Sequence, residues 1–180
     1  VAAYADAANF QNQKLYDIAI EEWEKFLAKY PDDPLVSKAQ QYLGVCHLQL
    51  KDYAKASLAF ETVLKKYPNF ENLEQTYLNL GSCHYSQALV EKKSELRGKL
   101  YQQAAGVFAE QVKKFPKGKF TDQALFFRGE SLHQVGQKKE AADTFETLVT
   151  DHPKSKLRCD AIYSLGVARD DLGQFKEAGQ

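Results

Sequence analysis

Basic side chains are not in excess in this 180-residue sequence: Lys and Arg number 24, Asp and Glu number 24, and the formal net charge is zero. A general nucleic-acid binder needs surplus Lys and Arg to displace phosphate counterions, so the balance argues against that class. No apolar run approaches the roughly 20 residues that span a bilayer as a helix. Cysteine is sparse and odd in number, three in all. Disulfide frameworks use even sets at short spacings in small domains, so free thiols are expected. No segment sustains the alternation of a half-buried strand, so no sheet is expected. Glycine-rich phosphate loops, nucleophile elbows and metal-spaced histidine motifs are missing too, which leaves no reason to expect an enzyme or a cofactor. The sequence starts at Val1 rather than Met, the start that a removed signal peptide or a trimmed boundary would leave. What is present is 44% hydrophobic, enough for a continuous core in a chain near the size of one domain.

The chain repeats. Four prolines, Pro31, Pro68, Pro116 and Pro153, close the similar segments FLAKYP, VLKKYP, QVKKFP and LVTDHP, with spacings of 37, 48 and 37. Gly44, Gly81, Gly129 and Gly166 each follow their proline by 13 residues. The agreement defines units of about 1–33, 34–70, 71–118, 119–155 and 156–180, the third longer by 11 residues and the last truncated. Each unit reads as two amphipathic helices: Ala39, Tyr42, Leu43 and Cys46 share one face, then Tyr53, Ala56, Phe60, Val63 and Leu64 share another. The segments LKD at 50–52, VGQ at 135–137 and LGQ at 172–174 read as turns, with Gly136 and Gly173 suited to a left-handed helix end. Asp33 before Pro34 reads as a helix N-cap, and Ser155 as the equivalent cap later in the chain.

Helix pairs at this period resemble the tetratricopeptide repeat family. The family's small helix-A residue matches Gly44, Gly81, Gly129 and Gly166, and its helix-B alanine matches Ala19, Ala56, Ala104, Ala141 and Ala178. The aromatic four residues later matches Trp23, Phe60, Phe108 and Phe145. The resemblance implies an all-α, right-handed superhelical solenoid of about five helix pairs forming a single domain. It also implies a scaffold or adaptor that binds proteins or peptides. The three residues by which the unit exceeds the family's usual period fall between proline and glycine, where they would lengthen the start of helix A. The longer period and the YP-D-D/S to A-x-x-x-L-G pattern are similar to a bacterial cell-envelope subfamily. It includes the outer-membrane β-barrel assembly lipoprotein and a periplasmic partner of the Tol–Pal system. That implies a periplasmic or envelope location, with a cytoplasmic one the alternative, and admits a structural segment of a longer envelope protein.

The pairs Cys46-His47 and Cys83-His84 raise a metal or redox alternative. Cys46 and Cys83 occupy one register position in successive units, about 8–10 Å apart if their helices stack, beyond the roughly 7 Å that a disulfide allows. Adjacent helical residues point about 100° apart, so Cys46 and His47 cannot easily share one ion. The matching residues elsewhere are Ser131 and Ala168, both small, and Leu132 stands where the histidines do. Small buried packing residues are therefore expected. Cys159 stands near a helix start beside Arg158, features that can lower a thiol pKa, but a mobile thiol without a role is the expected reading, and His152 replaces the tyrosine of YP. The insertion, near residues 88–99, equals about three helical turns and keeps its faces in phase. A Glu95–Lys99 pair on a solvated helical extension is expected there, or a projection toward a partner.

In the family register the outward side of each helix A lines a concave binding groove. Its residues are Lys38, Gln41, Val45, Leu48 and Gln49, then Gln75, Leu78, Ser82, Tyr85 and Ser86. The later units add Gln123, Phe126, Glu130, His133 and Gln134, then Tyr163, Val167 and Asp170. These are expected to have no core duty, so that Leu78, Tyr85, Phe126 and Tyr163 anchor a peptide and the glutamines bond its backbone. The Lys and Asn of the family's carboxylate clamp are replaced by Gln41, Val45, Leu78 and Ser82, so acidic chaperone tails are not the expected ligand. The truncated last unit leaves an apolar face from Gly166 to Gln180 that invites self-association.

Overall fold

The computed structural model describes residues 2–173. Nine helices follow one another among these residues: α1 (Ala2–Asn12), α2 (Tyr16–Lys29), α3 (Val36–Gln49), α4 (Tyr53–Lys66), α5 (Leu73–Val90), α6 (Ser94–Lys114), α7 (Thr121–Gln134), α8 (Lys138–Asp151) and α9 (Arg158–Asp171). No strand occurs among the described residues, and none of their helices is long and apolar enough to cross a membrane. Ala178 and the second helix expected for the last unit lie outside them. The fold is all-α, with helices packed in sequence as antiparallel pairs. Packing divides the chain into two compact units, one up to Cys83 and one from His84.

The expected pattern locates the core of each unit. In the first, Ala7, Ala19, Trp23, Phe26, Val36, Ala39, Leu43 and Cys46 form one buried cluster across α1, α2 and α3. In the second, Leu125, Leu132, Ala141, Phe145, Leu148, Ala161, Leu165 and Ala168 join α7, α8 and α9. The four register aromatics, Trp23, Phe60, Phe108 and Phe145, are fully buried, and so are Ala19, Ala56, Ala104 and Ala141. Fully burying one such aromatic contributes about 1.5–3 kcal/mol, so the repeated ring is the main apolar contribution of each pair. The glycine opposite makes room for it. A Cβ at Gly44 would lie 2.7 Å from Phe60 Cε1, and one at Gly129 would lie 2.5 Å from Phe145 Cε1.

The turns repeat as the helices do. Three residues join the helices within a pair and six join successive pairs. Gly136 and Gly173 have φ of 79° and 74°, as expected, and Lys14 and Lys51 hold the equivalent left-handed position at 62° and 61°. Asp52 caps α4 by accepting from the Lys55 amide at 3.3 Å.

One expectation about helix starts is corrected, that Asp33 and Ser155 are N-caps. Each helix A begins five residues after its proline, at Val36, Leu73, Thr121 and Arg158. The four residues between each proline and its helix form a turn, and the rest of the interval to the glycine is helical. Asp33 and Ser155 therefore stand short of the helices. Asp33 Oδ1 accepts from the Leu35 amide at 2.9 Å, and Ser155 Oγ accepts from the Leu157 amide at 3.1 Å. Both side chains stabilise the linker turn, since Asp and Ser bond a backbone N–H two residues on as readily as a helix end.

The insertion is helical. α5 has 18 residues and α6 has 21, against 14 in each of α2, α3, α4, α7, α8 and α9. Four extra residues thus lengthen α5 and seven lengthen α6, close to one and two turns, so each helix keeps its buried face in phase. Ala88, Leu100 and Tyr101 continue the core into the extension. Lys99 Nζ meets Glu95 Oε1 at 2.6 Å on its exposed side, and Leu89, Val90 and Leu96 are exposed near its end.

Candidate functional site

The Cys-His pairs sit in the helix packing. Cys46 and Cys83 are fully buried and free. Cys46 Sγ donates to Gln11 Oε1 at 3.5 Å, the oxygen that also accepts from Trp23 Nε1 at 2.9 Å. Burial pushes the Cys46 thiol up to about 11, against a smaller opposing effect of the Trp23 indole, and pushes Cys83 up to about 12. Thiolate chemistry needs the opposite shift. His47 is held below its usual range by burial, partly offset by Asp52, whose Oδ2 lies 3.9 Å from Nδ1. Among the described residues no three His, Cys, Asp or Glu side chains converge as a metal site requires. Iodoacetamide at pH 8 should label the exposed Cys159 in the folded chain and reach Cys46 and Cys83 only in denaturant. Mass spectrometry of the labelled peptides checks this. Because both folded thiols ionise above the unfolded value near 9, their contribution to stability is complete below pH 9 and is lost as pH rises toward 11 and 12.

The groove positions divide by environment. In the first unit Lys38, Val45, Leu48, Gln75 and Ser82 are half-buried and Gln49 is exposed. Gln41 and Leu78 are buried, at 5% and 7% exposure. Gln41 Oε1 accepts from Thr76 Oγ1 at 2.9 Å, tying α3 to α5, so both residues have the packing duty that the register excluded. In the second unit Tyr85, Ser86, Gln123, Phe126, Glu130 and His133 are half-buried, and Gln134, Tyr163, Val167 and Asp170 are exposed. Tyr85 packs its ring 5.6 Å from Tyr101 and 5.3 Å from Phe127. Phe126 lies 5.5 Å from Phe127 and 6.0 Å from Phe145. These rings are packed within the unit, because a helix that contacts both its own partner and the next pair has little surface left over. Tyr163 differs: it is 76% exposed, and Val167, one turn on, is 37% exposed.

Four of the expected residues meet at one place. Glu130 and His133 of α7 and Tyr163 and Val167 of α9 line a cleft of about 210 Å³, completed by Ser164 and floored by Phe145. Ser164 Oγ donates to Glu130 Oε1 at 2.8 Å across the cleft. His133 Nε2 lies 2.9 Å from Asp171 Oδ2, and Lys138 Nζ lies 3.5 Å from Asp171 Oδ1. The His133 bond, ahead of the Lys138 charge, holds the Asp171 carboxyl below its usual value. The register did not single out Ser164. The signal was a difference between units: 37 residues earlier the same position holds Phe127, a packed ring, and a serine in its place leaves the space open.

The sequence model of the YfiO family, described as an outer membrane lipoprotein, matches residues 1–128. A tetratricopeptide repeat model matches residues 123–155. Among solved structures, MamA from Desulfovibrio magneticus RS-1, residue 41 to its end, is similar with a TM-score of 0.75 and 16% identity, over 99% of this chain and 88% of that one. YrrB, described as a TPR protein with an unusual peptide-binding site, is similar with a TM-score of 0.73 and 18% identity, over 99% of this chain and 80% of that one. At these identities the likeness is one of fold. No curated protein matches the chain.

Proposed function

The chain belongs to the outer membrane lipoprotein family whose model covers its residues 1–128, and from that premise we propose that it is a protein-interaction scaffold of the cell envelope that holds a peptide segment of its partner along the helix-A faces. The observation that carries this reading is the α7–α9 cleft. An exposed tyrosine and valine flank a bonded carboxylate there, on the side of α9 that its buried residues Ala161, Leu165 and Ala168 do not use. A half-apolar recess with a few fixed polar groups is what a peptide anchor fills. The peptide-binding site named for YrrB, a protein of similar fold, supports the same reading by analogy only. Within each compact unit the helix pairs are taken to repeat as in a right-handed superhelical solenoid, and the remaining groove residues of that unit add to its own surface. The self-association expected of residues 166–180 falls partly on residues 174–180, which lie outside the described ones.

The test separates binding from folding. Tyr163→Ala removes a ring that is mostly in water and should change the melting temperature by no more than a surface substitution does, within about 0.5 kcal/mol. A photocrosslinking residue at 163 should trap the partner in cells of the source organism, and Tyr163→Ala should reduce recovery of that trapped protein in co-purification. Equal recovery from Tyr163→Ala, or crosslinks only from residues 88–99, would move the site to the α5–α6 extension.

A further inference from the structure

The α7–α9 cleft holds a carboxylate with spare capacity. A carboxylate accepts up to about four hydrogen bonds, and the Ser164 hydroxyl, at 2.8 Å, supplies one to Glu130 while fixing its orientation. Three basic side chains near the cleft face other acids. His133 and Lys138 meet Asp171, and Arg169 meets Glu146 at 2.9 Å. The Glu130 charge also reaches the phenols of Tyr85 and Tyr101. Burial, and then Glu130, push the Tyr85 hydroxyl up to about 12, and Tyr101 is raised by burial and by Glu130 against the Arg97 charge. Tyr163 and Val167 give the cleft its exposed apolar surface, and Phe145 is fully buried behind it. At about 210 Å³ the space is below the roughly 300–1,000 Å³ of small-molecule sites, so it suits one side chain.

We propose that the cleft receives a single basic side chain, arginine or lysine, from the bound peptide, its cationic head on Glu130 and its stem along Tyr163 and Val167. Opposite charge selects the residue: an acidic anchor would face Glu130, and an apolar one would leave the carboxylate desolvated and short of donors. A guanidinium or ammonium instead gains a charge-assisted bond to a fixed acceptor and the face of an exposed tyrosine ring. A bare metal ion fits poorly, because no cluster of three ligating side chains exists among the described residues.

This inference rests on the groove reading, and the experiment keeps the two apart. Phage-displayed random decapeptides are selected on the full chain, and the best binder is resynthesised with its basic residue and with citrulline, which keeps the shape of arginine without its charge. The expected result is one position enriched in Arg or Lys, with affinity about tenfold weaker for the citrulline peptide. Glu130→Gln, which preserves volume and the Ser164 bond, should bind the parent peptide equally weakly and no longer distinguish it from the citrulline form. Peptides that Tyr163→Ala weakens but that show no basic preference, or bind Glu130→Gln as tightly as the wild type, overturn the basic pocket and leave the groove standing. Peptides indifferent to Tyr163→Ala, or no selected peptide at all, overturn both. If Glu130→Gln melts early, the citrulline comparison on the wild-type chain decides alone.

Discussion

Gly129→Leu is expected to destabilise the chain by about 3 kcal/mol or more, a large share of the roughly 5–15 kcal/mol that holds a domain together. The space is already occupied. A bare Cβ at this position would meet Phe145 Cε1 at 2.5 Å, Cζ at 2.7 Å and Cδ1 at 2.8 Å, all inside van der Waals contact. Phe145 is fully buried in the α7–α8–α9 cluster and cannot swing aside into solvent. Relief requires α7 and α8 to move apart, and that opens voids around Leu125 and Leu148. Gly129→Ala should already cost about 1–3 kcal/mol by the same clash. Gly44→Leu should behave alike, because its Cβ would lie 2.7 Å from Phe60 Cε1. Gly106 supplies the contrast. It stands inside α6 with nothing within 4 Å of an added Cβ, and Gly106→Ala should stabilise by about 0.5–1 kcal/mol. Urea denaturation followed by circular dichroism ranks the four variants. If Gly129→Leu and Gly106→Ala shifted the midpoint alike, the close approach of α7 and α8 would be wrong.

That contact was legible in the sequence because it recurs. Outside the unit with the insertion, each small residue and its aromatic partner return at the same offset, and the hydrophobic effect needs only size and position to be right. The groove was less legible for the opposite reason. The register assigns Gln41, Leu78, Tyr85 and Phe126 to one outward side, yet outward from the helix pair is not outward from the unit. Gln41 is claimed by Thr76 and Phe126 by Phe127 and Phe145. Which position stays open depends on its neighbours, and these differ from unit to unit. Where Phe127 gives way to Ser164 the cleft appears. The helix starts were misread for a local reason. Asp33 and Ser155 carry the letters of an N-cap, but the residue that closes the turn and the residue that opens the helix use the same side-chain chemistry. The insertion was readable in length and phase, since eleven residues fit whole turns, while its division between α5 and α6 was not.

Trp23→Ala is the other change expected to be severe, at about 3–5 kcal/mol. Trp23 is fully buried where the first three helices meet. Its ring lies 4.9 Å from Tyr4 of α1, 6.5 Å from Phe26 of its own helix and 5.5 Å from Tyr42 of α3. Its Nε1 donates to Gln11 Oε1, the oxygen that the Cys46 thiol also shares, so one amide joins α1, α2 and α3. Removing the indole leaves a cavity that rigid helices cannot close, and adjacent aromatic rings lose their edge-to-face partner. Gln11→Ala keeps the ring and removes the acceptor, leaving a buried indole N–H and thiol unpaired, and should cost about 1–3 kcal/mol. Trp23 is the chain's single tryptophan, so its emission reports this junction directly in Gln11→Ala. The loss should fall first on α1. With 11 residues it is shorter than the roughly 12–15 that an isolated helix needs, and Ala7 is its one fully buried residue. Hydrogen exchange should therefore show the α1 amides losing protection in Trp23→Ala while those of α7 and α8 keep theirs. Protection lost equally in α7 and α8 would mean that the whole chain unfolds as one body, and that α1 does not depend on this ring for its docking.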